Sequence, residues 1–204
     1  MTESNRPLER PFRALRTIST RLALAAGWAL LLLSFAIAFE VVSRRVLRMS
    51  LQGVDEYGGY LLAVCGTIGF SYALFERAHI RIDVLLRVLP SPLRAVADAV
   101  ALLALNFFVW NLLWRSFAVA RQSYDFGAIA VSPLETPLVV PQGIWAAATA
   151  FFAVVALVLA ARALLALPAR DWGASASEFG VIGEEAEVAQ EIESVRRRQN
   201  EQAP

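Results

Sequence analysis

Few side chains in this 204-residue chain can do chemistry, and most of them fall in pairs. Glu40 precedes Arg44 by four residues, the spacing at which a helix sets two side chains next to each other. Asp55 and Glu56 are adjacent carboxylates. His79 and Asp83 are again four apart, inside the cluster Glu76-Arg77-Ala78-His79-Ile80-Arg81-Ile82-Asp83. Asn106 and Asn111 stand singly in apolar surroundings. With His79 the one histidine and Cys65 the one cysteine, the chain supplies no bis-histidine haem, no multi-histidine zinc or copper site and no internal disulfide. It has no phosphate-binding glycine loop, dinucleotide fingerprint or nucleophile elbow. Catalytic residues, cofactors and metals are therefore not expected, and the polar pairs read as structural ties.

The elements that carry them are four uncharged apolar runs, Leu22–Phe39, Tyr57–Phe75, Ala99–Trp114 and Ile144–Ala161. A helix rises 1.5 Å per residue, so crossing a hydrocarbon core of ~30 Å takes about 20 residues. With their flanks the runs reach that length, and the fold class is an all-α membrane protein of four transmembrane helices. The spans are expected at about 22–43, 56–76, 95–117 and 140–167 within a transmembrane domain of residues 18–168. An arginine-rich segment, 1–17, precedes it at the membrane surface or loosely ordered, and an acidic tail, 169–204, follows. The composition agrees: 57% of residues are hydrophobic and mean hydropathy is +0.53, too apolar for a typical soluble domain. A net charge of +1 offers no electrostatic case for nucleic acid. The first run is long and no small-residue cleavage pattern follows before Glu40, so it is expected to be an uncleaved signal anchor.

Arginine placement gives the topology, since cytoplasmic flanks carry the excess. One side collects eleven: Arg6, Arg10, Arg13, Arg16, Arg21, Arg77, Arg81, Arg87, Arg94, Arg162 and Arg170. The other has five: Arg44, Arg45, Arg48, Arg115 and Arg121. Both termini are expected in the cytoplasm, although the Arg44-Arg45 pair acts locally against it.

On that frame Glu40 and Arg44 form an ion pair near the outer interface, where the cost of a charge is well below its mid-bilayer value. Asp55 and Glu56 sit in the first turn of span two; either the helix dipole or a partner protein explains them. Gly59, Ala63, Thr67 and Ser71 recur every four residues of that span, a small-residue stripe suited to close helix packing within the chain or against a partner subunit. His79 and Asp83 suit a helix-end tether. Val84–Leu89, stopped by Pro90-Ser91-Pro92, suits a short amphipathic helix on the inner surface. Asn106 and Asn111 are expected to hydrogen-bond to other helices. Trp110 and Trp114 approach the outer interface, and Trp28 and Trp145 suit packing or anchoring. The segment Arg121–Gln142, with Pro133, Pro137 and Pro141, reads as an extended, turn-rich loop. The tail is either a short helix or disordered.

One ordered set of segments resembles a known family. Arg44-Arg45-Val46-Leu47, Val54-Asp55-Glu56-Tyr57, Gly66-Thr67-Ile68-Gly69-Phe70, His79-Ile80-Arg81-Ile82-Asp83 and Leu89-Pro90 resemble the small membrane subunit of tripartite ATP-independent periplasmic (TRAP) transporters. Ser132, Thr136-Pro137-Leu138 and Pro141 resemble that family's outer loop, and the likeness covers about residues 15–168. The chain departs from it at Ala63-Val64-Cys65, where many relatives carry tryptophan, and in the acidic tail. The resemblance implies a three-part importer in the bacterial inner membrane. A periplasmic substrate-binding protein captures an organic anion, and a large membrane subunit holds the substrate and sodium sites and moves like an elevator. This small subunit binds the large one as non-catalytic scaffold. Asp55 and Glu56 would then face the periplasm and His79 and Asp83 the cytoplasm, fixing helix ends or subunit contacts. The alternative is a self-contained small transporter or channel with Asn106, Asn111 and Glu40 along its path. A redox-enzyme anchor is disfavoured by the single histidine and cysteine.

Overall fold

The computed structural model describes residues 9–50, 53–76, 91–166 and the single residue 192. Those residues form four long helices: α1 (Glu9–Val46), α2 (Val54–Phe75), α3 (Ser91–Asp125) and α4 (Val139–Ala166). Each is long and apolar enough to cross a membrane. His79, Asp83, the expected amphipathic helix at Val84–Leu89 and, apart from residue 192, the acidic tail lie outside the described residues.

The helices stop where the backbone chemistry says they must. Gly53 enters α2 at φ 95°, a left-handed conformation that glycine adopts without a Cβ penalty, and Tyr57 N–H donates to its carbonyl at 3.0 Å. α3 ends on Gly127 at φ 59°. There Ala128 N–H bonds the Ser123 carbonyl at 2.9 Å and Gly127 N–H the Tyr124 carbonyl at 3.1 Å, the paired bonds of a Schellman cap. Pro141 lies in the first turn of α4, where a missing N–H removes no helical bond. The connection expected over 121–142 is thus shorter: 121–125 complete α3, 139–142 open α4, and only 126–138 are loop.

The helices pack in the order α1, α2, α4, α3, with α1 touching α4 only slightly. α4 is the hub. Half of its most apolar stretch is buried inside the protein, against 6% for that of α1. The reason is the alanine content of its face: Ala146, Ala148, Ala153, Ala156, Ala160 and Ala163 are all buried. Small side chains bring backbones close, which is how helices associate where lipid already satisfies apolar surface. Asn106 of α3 uses that approach, donating to the Ala156 carbonyl at 3.0 Å and to its own Leu102 carbonyl at 2.9 Å. Leu102, Val109, Phe152, Val155 and Leu159 fill the core around this bond.

α1 has 38 residues, roughly 57 Å, about twice the hydrocarbon thickness. It begins at Glu9, so residues 9–17 are helical and continuous with the first span. Phe12 and Leu15 explain this: both pack on the core cluster, on the side of α1 that also buries Ser19. The Phe12 ring meets Phe75 edge-on at 5.4 Å and lies under the buried Arg162 guanidinium at 4.1 Å. Arg16 pairs with Glu76 at 3.3 Å. Phe12→Ala removes both ring contacts and should weaken the docking of this end by about 2 kcal/mol, roughly a 30-fold rise in its open population. Trypsin cleavage between Arg10 and Arg21 in detergent reads this directly; an unchanged rate would mean that other contacts hold the end.

Candidate functional site

The opposite end of the bundle carries the best-developed polar structure. Glu40, 2% exposed, receives Arg44 through Nη2 at 2.7 Å and Nε at 3.1 Å, and the Ser50 hydroxyl at 2.8 Å. The chain turns back to deliver Ser50: Arg48 takes φ 56°, and Ser43 Oγ donates to the Met49 carbonyl at 3.2 Å. The carboxylate is thus held in a local cage, which is the ion pair expected from its spacing with one more donor added.

Asp55 and Glu56 part company in the structure. Asp55 is exposed, and its side chain makes no hydrogen bond among the described residues, though it lies within electrostatic reach of Arg44. Glu56 is a clamp. It accepts from the Tyr60 hydroxyl at 2.8 Å and from the Ser132 hydroxyl, with the Thr136 hydroxyl nearby. One carboxylate therefore ties the start of α2 to the loop between α3 and α4. That loop is itself ordered by a hairpin-like pairing: Ala130 N–H to the Thr136 carbonyl at 2.9 Å and Leu138 N–H to the Ala128 carbonyl at 3.0 Å, around the bridge between Ile129 and Pro137. A turn at 132–135, with Glu135 at φ 47°, aims Leu134 at Gly53. A Cβ on Gly53 would lie 1.9 Å from Leu134 Cδ1.

The stripe on α2 divides. Thr67 and Ser71 are buried; Thr67 Oγ1 donates to the Ala63 carbonyl at 2.9 Å and accepts from Trp145 Nε1 of α4 at 3.1 Å. Gly59 and Ala63 are exposed, and a Cβ on Gly59 meets nothing within 4 Å. A spacing of four advances about 40° per step, so four such residues wind from the open face to the packed one. Gly66 continues the open face, again with nothing within 4 Å of an added Cβ. Cys65, behind it, is buried and donates to the Ala26 carbonyl of α1 at 3.7 Å.

Glu40, Asn106 and Asn111 do not converge on a path. Glu40 is caged at one end of α1, Asn106 is locked between α3 and α4, and Asn111 is exposed and bonds only the Phe107 carbonyl of its own helix, at 2.7 Å. Among the described residues no cluster of His, Cys, Asp and Glu could hold a metal ion. Two sets of contacts were not assigned from the sequence. Leu134 and the hydroxyls of Ser132 and Thr136 act on α2 from 76 or more positions away, which no local pattern encodes. Phe12 and Leu15 had a signal, the 12-15-19 spacing of an amphipathic face, hidden among arginines.

Residues 33–166 match the family described as "Tripartite ATP-independent periplasmic transporters, DctQ component". The match takes in the Glu40 cage, the Glu56 clamp and all of α2, α3 and α4, but not Phe12. No curated protein and no solved structure matches the chain.

Gly53→Ala should destabilise the protein by at least about 2 kcal/mol, from the left-handed backbone and the collision with Leu134 together. Adding Leu134→Ala should remove the collision and leave about 1–2 kcal/mol of backbone strain. Thermal unfolding in detergent of both variants checks this; equal losses would deny the close approach.

Proposed function

Because the chain belongs to the DctQ component family of tripartite ATP-independent periplasmic transporters, an inner-membrane family, we propose that it works as the scaffold subunit that binds and stabilises a large membrane subunit. The large subunit carries an organic acid, coupled to sodium, after delivery by a periplasmic substrate-binding protein. The observation that carries the scaffold role is the open small-residue face of α2. Gly59, Ala63 and Gly66 present backbone to the outside with nothing packed over them, the surface that permits a foreign helix to approach closely.

The division of labour is consistent with the chemistry. Among the described residues Glu40, Glu56, Thr67 and Asn106 tie helix to loop or helix to helix, and they line no common route. On the arginine bias both termini lie in the cytoplasm, which puts the Glu56 clamp and the 126–138 loop on the periplasmic side, where the substrate-binding protein docks. Asp55 is then a periplasmic surface charge, and His79 and Asp83 serve as helix-end or subunit contacts at the cytoplasmic face.

Co-expression with a large subunit should give a heterodimer that survives detergent purification. Gly59→Leu or Ala63→Leu should lower its yield roughly 5- to 30-fold, the equivalent of about 1–2 kcal/mol of helix association. Unchanged yield for both would refute the face. In liposomes the chain alone should give no sodium-dependent uptake of an organic acid; uptake by the lone chain would replace this reading with a self-contained transporter.

A further inference from the structure

A second unpartnered surface lies on α3, and its polarity says what covers it. Ala99, Leu102, Asn106, Val109, Ser116 and Ser123 are the buried ones among the described side chains of this helix. Asn111 is two residues past Val109, about 200° around the helix, so it points away from α4. It sits between Phe107 and Trp114, which are 74% and 75% exposed. Its depth follows from the bond of Asn106 to Ala156. α3 and α4 run antiparallel, so Asn111, five residues further along, is level with about Phe151. That is well inside the uncharged run Ile144–Ala161, and the uncharged run of α3 itself continues to Trp114. Asn111 is therefore an amide facing outward within the hydrocarbon, on the outer side of its centre.

Lipid cannot satisfy it. One N–H goes to the Phe107 carbonyl at 2.7 Å; the second N–H and the carbonyl oxygen have no partner among the described residues. Hydrocarbon offers neither donors nor acceptors. Arg115 follows one turn later, exposed, with no hydrogen bond or ion pair among the described residues. A long arginine can snorkel to the headgroups; a short asparagine cannot. An amide and a guanidinium on one edge call for a protein surface bearing acceptors.

We propose that the outer edge of α3, centred on Asn111 and Arg115, is covered by a transmembrane helix of the large subunit. That helix presents a carboxylate or amide side chain opposite the two. The inference rests on the pairing proposed above and adds where a large-subunit helix sits: on α3, away from the α2 face.

The test uses the co-expressed transporter in native membranes. A photo-crosslinking benzoylphenylalanine replaces Phe107 or Trp114, leaving Asn111 and Arg115 intact, and Phe35 of α1 serves as background. Both α3 positions should crosslink to the large subunit above that background. Asn111→Leu should lower co-purification of the large subunit about fivefold or more, while Asn111→Gln keeps it within about twofold. Crosslinks from α3 only to lipid or to a second copy of this chain, or full co-purification with Asn111→Leu, would overturn the assignment. Failure of the unsubstituted chain to co-purify with a large subunit would overturn the pairing itself.

Discussion

Everything in the bundle leans on the alanine face of α4. Without bulk on that face the α3 and α4 backbones come near enough for a side-chain amide to reach a main-chain carbonyl, as Asn106 does to Ala156. The same helix sends Trp145 to Thr67 of α2 and Arg162 over Phe12 of α1. Its contacts with the other three helices are thus of different kinds: close backbone packing, a hydrogen bond, and a cation over a ring. In a medium that gives no hydrophobic reward for bringing helices together, such specific contacts set the arrangement.

The ends are secured differently from the middle. At one end an aromatic pair, a cation and an ion pair hold α1; at the other a carboxylate gathers hydroxyls from a distant loop. α1 itself buries little of its spanning length. Glu40 shows how a charge survives there: the chain folds Ser50 back to it and keeps Arg44 one turn away, so the carboxylate never faces lipid alone.

The architecture was largely legible. Span number and class follow from four uncharged runs, because a bilayer admits little else of that length. Boundaries were less so. Phe12 and Leu15 extend α1 through an arginine-rich stretch, since helix docking overrides the polar composition. Gly127 and its cap carry α3 past Arg121, which proline counting alone could not place. The Glu40–Arg44 pair was readable because both partners lie in one helix. Glu56 was not, because its donors come from the far side of the chain. Gly59 and Thr67 looked alike at a four-residue spacing, and only the rotation of the helix separates the open residue from the packed one.

The double fastening of α1 and α2 has a mechanical result. A lone helix longer than the bilayer adapts by leaning. Here Phe12 meets Phe75 at one end, and the Gly58 backbone faces Leu33 further along, so the two rods cannot lean separately. When membrane thickness changes, the pair leans as one body or the surrounding lipid stretches or compresses, at fractions of a kcal/mol per ångström.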